Sequence, residues 1–165
     1  MRFHGLALAS AFILGACGGG DSNTQNDTAA TATPAAGTDA GAAGATAAMA
    51  PITGTTHTVR MVGDAQGYRF DPAQLTIKAG DGVKWEMVSG GPHNVAFDPA
   101  KVPAAAKAQL MANMTDQMGE LSSQMFMNVG ETYTISFANI PAGTYDYVCT
   151  PHLMNGMSGT ITVQQ

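Results

Sequence analysis

Hydrophobic and polar positions change rhythm three times along the chain. From Gly5 to Leu14 ten residues (GLALASAFIL) are apolar or small without a charge. From Gly18 to Thr56 large apolar residues almost vanish, with Met49 and Ile52 the exceptions. From His57 onward, short runs alternate with period two, the pattern of strands with one face buried. Val59 and Met61 share a face in HTVRMV. Val83, Trp85 and Met87 alternate with Lys84 and Glu86, and Tyr133, Ile135 and Phe137 alternate with Thr132, Thr134 and Ser136. Ile161 and Val163 close the chain. Turn signals separate the runs at Asp71-Pro72, Ala79-Gly80-Asp81-Gly82, Asn128-Val129-Gly130 and Pro141-Ala142-Gly143. Strands at this spacing predict an all-β sandwich or barrel rather than βαβ units. The 109 residues from 57 to 165 suffice for one such domain. One stretch departs from the rhythm. Pro103 to about Met118 (PAAAKAQLMANMTDQM) predicts a helical insert, with Pro103 in its first turn and Gly119 as its stop. On that helix Met111, Met114 and Met118, joined by Leu110 and Leu121, would form one apolar stripe.

The first two segments predict export and a tether. The apolar run is too short to span a bilayer core of about 30 Å but suits a signal peptide. It ends in Leu14-Gly15-Ala16-Cys17, which resembles the lipobox of bacterial lipoproteins. That resemblance implies cleavage after residue 16 and acylation of Cys17, hence anchoring to a membrane of the cell envelope. Residues 17–56 then read as a disordered Ala/Gly/Thr-rich linker. Ala supplies 12 of the 22 positions from Ala29 to Ala50, but Gly, Thr and Pro34 interrupt any long helix. Such a segment buries too little surface to offset its chain entropy. Its r.m.s. reach as a coil is on the order of 35 Å.

Composition narrows the chemistry. The formal charge is −5, and charged residues make up 12 % of the chain. There is no basic footprint for nucleic acid. Two cysteines exclude a disulfide-built scaffold and any four-cysteine metal site. With Cys17 assigned to lipid, Cys149 is left for other work.

Cys149 opens the run Cys149-Thr150-Pro151-His152-Leu153-Met154-Asn155-Gly156-Met157. A second imidazole, His93, follows the turn Gly90-Gly91-Pro92. Singly, each has an ordinary explanation: a buried thiol, a surface histidine, a core methionine. Together, one thiolate, two imidazoles and a thioether are the donor set of a blue-copper electron-transfer centre. Thiolate and thioether favour Cu(I), while imidazoles serve both redox states.

The stretches YRFDPAQLTIKAGDGVKW, GGPHNVAFDPAKVPA and PAGTYDYVCTPHLMNGMSGTITV resemble the plastocyanins of the cupredoxin family. The resemblance covers residues 57–165. It implies an eight-stranded Greek-key β-sandwich with one type 1 copper ion at one end, held by His93, Cys149, His152 and Met157. It implies a supporting role for Asn94, whose neighbours brace the loops and whose backbone N–H can donate to the cysteine sulfur. Pro151, lacking an N–H, would remove a second donor to that sulfur. The implied function is one-electron transfer between a redox protein donor and acceptor by a monomer, without substrate chemistry. The chain also departs from the family. Val148 stands before the cysteine where plastocyanins carry an aromatic residue, and the acidic runs of plant plastocyanins are missing. That leaves the His152 edge as the expected electron route, with Leu153, Met154 and Pro92 as an apolar docking rim. An alternative function is copper handling in the envelope, with the Met stripe as a second, thioether-built Cu(I) site.

Overall fold

A computed structural model describes residues 47–165. Cys17, the expected signal segment and most of the expected linker lie outside the described residues. The elements run β1 (Thr56–Asp64), β2 (Gly67–Asp71), β3 (Gln74–Lys78), β4 (Gly82–Met87), β5 (Ala96–Phe97), α1 (Ala104–Asn113), β6 (Gln117–Gly119), β7 (Ser122–Ser123), β8 (Thr132–Ser136), β9 (Gly143–Val148) and β10 (Ser158–Gln164). One sheet has the order β2-β1-β4-β8 and the other β3-β10-β9-β5-β7-β6. The expected two-sheet, all-β architecture is present. Ten strands are present among the described residues, and β5, β6 and β7 are only two or three residues long. The chain changes sheets at Pro72-Ala73, which splits one bent run into β2 and β3, and a short hairpin (β6–β7) follows the helix. Pro72 has no N–H to give to a ladder, so a break there loses no hydrogen bond.

The period-two residues meet between the sheets. Val83, Trp85 and Met87 of β4, Tyr133 and Ile135 of β8, and Ile161 and Val163 of β10 are all buried in one core. Trp85 and Phe70 both pack edge-on against Tyr147, with ring centroids 5.4 and 4.7 Å apart. Gly159 leaves room for this ring, since a Cβ there would overlap the Tyr147 phenol.

The helix is shorter than expected. It ends at Asn113 rather than near Met118, and Met114 is already extended (φ −97°, ψ 124°). The cause is the Asn113 side chain, which turns inward and donates to Ser136 O (2.8 Å) and Ala138 O (3.1 Å). Gln117 Nε2 then satisfies the carbonyls of Met111 and Met114 at the helix end. The methionine stripe therefore does not form. Met114 is buried beside Leu110 and Leu121, whereas Met111 is 36 % and Met118 62 % exposed. Gly119 lies in β6 and stops no helix.

The expected linker also gives way to ordered chain before residue 56. Ala50 is buried and its N–H donates to Asn113 Oδ1 at 2.8 Å. The N–H groups of Thr53 and Gly54 share the Gly80 carbonyl, each at 2.9 Å. The Thr55 N–H donates to Asp81 Oδ1 at 2.8 Å. Backbone donors in this segment find partners on the sandwich, which low hydrophobicity alone does not reveal. Asp81 is the hub. Its Oδ2 also accepts from the Lys78 N–H (3.0 Å) and pairs with His57 Nε2 (2.9 Å).

These donors, the Lys78 N–H first and His57 next, hold the Asp81 carboxyl below its ordinary value of 3.8. A carboxyl held low stabilises the fold above its unfolded pKa, and the contribution is lost as pH falls through the folded value. Asp81→Asn should therefore lower the unfolding free energy by about 1–2 kcal/mol at neutral pH. The gap to the parent should narrow on acidification through the carboxylate range. Urea unfolding of the metal-free protein at neutral and acid pH measures both.

Candidate metal centre

Two loops at one pole of the sandwich carry the expected ligands. The first joins β9 to β10. Cys149 leaves β9, a 3-10 turn spans Thr150–Asn155 with Pro151 in its first positions, and Gly156 closes it with φ 78°. That left-handed conformation favours glycine. The Cys149 N–H donates to Met157 O (3.1 Å) and the Met157 N–H to His152 O (3.2 Å), so the loop is cinched at its base. The second loop joins β4 to β5. There the His93 backbone is pinned from both sides by Phe126, with N–H to carbonyl distances of 3.1 and 2.8 Å.

The loops meet as a donor cluster. Cys149 Sγ lies 3.6 Å from His93 Nδ1 and 3.4 Å from His152 Nδ1. The three ligand atoms fall within 4.8 Å of one another, and all three residues are buried. His93 Nε2 donates to the Ser89 carbonyl at 2.8 Å. This leaves the Nδ1 lone pair free to face the sulfur, the orientation that a metal-binding imidazole needs. Burial lowers the pKa of both histidines, so both are neutral ligands near pH 7. The same burial pushes the Cys149 thiol up, opposed by the backbone N–H groups of Asn94 and His152. The His152 N–H donates to the Cys149 carbonyl at 3.1 Å. Met157 is fully buried, with its backbone joined to both Cys149 and His152.

Asn94 clasps the two loops. Its Oδ1 accepts the Thr150 N–H at 2.7 Å, and its Nδ2 donates to Thr150 Oγ1 and Ser122 Oγ, each at 3.2 Å. Pro92 is exposed beside His93. Leu153 is 53 % and Met154 95 % exposed. His152 itself is only 8 % exposed, because the Tyr68 ring of β2 stacks on it at 3.6 Å and 11°. Contributors that escape a reading of the sequence include the Ser89 carbonyl, Thr150, Ser122, Phe126 and Tyr68. A backbone acceptor leaves no trace in side-chain identity. Tyr68 reaches the site from a strand distant in sequence, and its aromatic character was the available signal.

One cysteine sulfur and two neutral imidazoles in one buried cluster match copper, which such soft and borderline donors favour. The family comparison agrees. The profile of the copper binding proteins of the plastocyanin/azurin family matches residues 57–164. This chain belongs to that family, and its cofactor is copper. It is 42 % identical over 108 residues to a plastocyanin from Scenedesmus fuscus, covering 65 % of this chain and 98 % of that one. Against a plastocyanin from Nostoc punctiforme the identity is 40 % over 110 residues, covering 66 % and 74 %. The solved oxidised plastocyanin of Dryopteris crassirhizoma superposes with a TM-score of 0.52 at 30 % identity, covering 66 % of this chain and all of that one.

Removing the clasp tests how the site is held. Asn94→Ala should weaken copper retention by about 10–100-fold in chelator competition. It should also cost about 1–3 kcal/mol of metal-free stability, because the Thr150 N–H loses its acceptor. Unchanged competition would show that the ligand loop holds itself.

Proposed function

We propose that this protein is a lipid-tethered, one-electron carrier of the cell envelope, a monomer that passes electrons between a redox protein donor and acceptor. The observation that carries the reading is the convergence of Cys149 Sγ, His93 Nδ1 and His152 Nδ1 within 4.8 Å in a buried pocket. His93, Cys149, His152 and Met157 would hold one type 1 copper ion. When bound, copper supplies the Cu(II)/Cu(I) cycle. The protein keeps the two imidazoles neutral, excludes water and fixes both loops, so that little has to move on electron transfer. Leu153, Met154 and Pro92 are the surface that a partner would meet, and small apolar contacts suit brief redox encounters.

The tether reading draws support from where the chain enters the domain. Thr56 pairs with Gly82 at the start of β1, and Met61 pairs with Met87 near its end. Ser89 and His93 follow Met87, so the chain enters the domain at the pole opposite the ligands. Among the described residues no helix is long and apolar enough to cross a membrane. On this reading the acyl group of Cys17 would supply the attachment. The envelope copper-handling alternative gains nothing from Met111, Met114 and Met118, which do not share a face.

Loading the metal-free protein with Cu(II) should give an intense visible band from thiolate-to-copper charge transfer. Cys149→Ser should abolish it, and a colourless Cu(II) protein would end the copper-carrier reading. For the anchor, the mass of protein purified from membranes should show acyl chains on residue 17. Cys17→Ser should move the protein to the soluble fraction.

A further inference from the structure

We propose that Tyr68 is an electron port of this protein, linking the His152 imidazole to the surface through a stacked ring. The inference rests on the carrier reading above and adds a positioning residue to it. Tyr68 comes from β2, in the other sheet from the ligand loop, and lies nearly parallel to His152 with centroids 3.6 Å apart. Its ring also meets His93 edge-on at 6.2 Å.

The place for this ring is built into the backbone. A Cβ on Gly63 would come within 2.8 Å of both Tyr68 Cδ1 and the Gly90 Cα. Two glycines thus let β1, the Ser89-Gly90 turn and the Tyr68 ring close on one another. The same approach lets the Gly63 N–H donate to Ser89 O at 2.9 Å, the carbonyl that orients His93.

Tyr68 is half-buried and packs on the core with one side. Its hydroxyl makes no hydrogen bond among the described residues. One face of the ring therefore touches a ligand while its edge meets solvent. The other aromatic rings near the site cannot serve. Tyr147 and Trp85 are enclosed, and Val148, next to the cysteine, has no π system. Stacking covers most of His152, so a partner approaching this pole meets Tyr68 as well as the histidine edge.

In this step a reduced one-electron redox protein gives up one electron. The electron would tunnel through the Tyr68 and His152 rings to the metal that His152 helps hold, where copper would supply the Cu(II)/Cu(I) acceptor. Tyr68 is neither oxidised nor deprotonated, and delivery to an acceptor runs the same path in reverse.

The test compares the copper-loaded parent, Tyr68→Phe and Tyr68→Leu. Electron self-exchange between copies is read from NMR line broadening in Cu(I)/Cu(II) mixtures, beside the visible spectrum and the reduction potential. Tyr68→Phe should exchange at the parental rate. Tyr68→Leu, which keeps apolar cover but loses the ring, should exchange about tenfold more slowly, with colour and potential unchanged. In the metal-free protein, the His152 ring protons should shift upfield in the parent and Tyr68→Phe but not in Tyr68→Leu. Parental exchange in Tyr68→Leu would overturn the port. So would slowing matched by a change in potential, which marks packing alone, or identical His152 shifts in all three. A parent that takes up Cu(II) without colour fails earlier, at the carrier reading itself.

Discussion

Two loops far apart in sequence must be held against each other before any of this chemistry is available. His93 and Cys149 lie 56 residues apart, in different loops. Asn94 supplies the joint, with one acceptor and two donors reaching Thr150 and Ser122. It is buried, so each of these groups would be costly to leave unpaired. The sheets bring the loops near: Ala96 pairs with Val148, which places the residues flanking both ligands side by side. The amide then fixes their register. The donor cluster is thus preformed, and the imidazoles face the sulfur because Ser89 and Phe126 hold His93 from behind.

The opposite pole works by the same logic with a different residue. Asp81 accepts from Thr55, Lys78 and His57 and so ties the entering chain to the β3–β4 turn. Asn113 does the equivalent for Ala50 and for β8. Two buried polar side chains therefore stitch an otherwise polar, small-residue segment to the domain. The parallel pairing of β1 with β4 puts the entry point and the ligands at opposite ends of one strand pair. At about 3.3 Å per residue, the paired run from Thr56 to Met61 alone spans on the order of 17 Å.

The period-two alternation made β4, β8 and β10 legible from sequence, because each has one face on the core and one toward solvent. The Cys149-to-Met157 run was legible because its donor types are chemically unusual together. The helix end was not. Propensity favours continuing through Met114, and a tertiary demand on the Asn113 side chain overrides it. Ordered backbone at Ala50–Thr55 was hidden for a related reason: its partners are a carbonyl, a carboxylate and an amide elsewhere in the chain. Tyr68 reads in sequence as one more strand aromatic. Its stack on His152 depends on Gly63 and Gly90 closing up, which no local pattern encodes.

Surface charge decides how a partner would be found. Residues 57–165 carry six basic and nine acidic side chains, a net of −3, and several of these are already paired. Asp64 takes Arg69 bidentately at 2.8 and 2.9 Å, and Lys107 takes Glu120 at 2.8 Å. Little unpaired charge of one sign is left to steer an encounter. The copper pole instead offers Leu153, Met154 and the outer edge of Tyr68. On the carrier reading, association through such a face would be weakly oriented at a distance and selected at contact, where apolar area and ring overlap would decide which orientations conduct. A carrier built this way trades long-range attraction for quick release. A leash, which raises the local concentration of the domain beside partners in the same membrane, would compensate for the slower encounter.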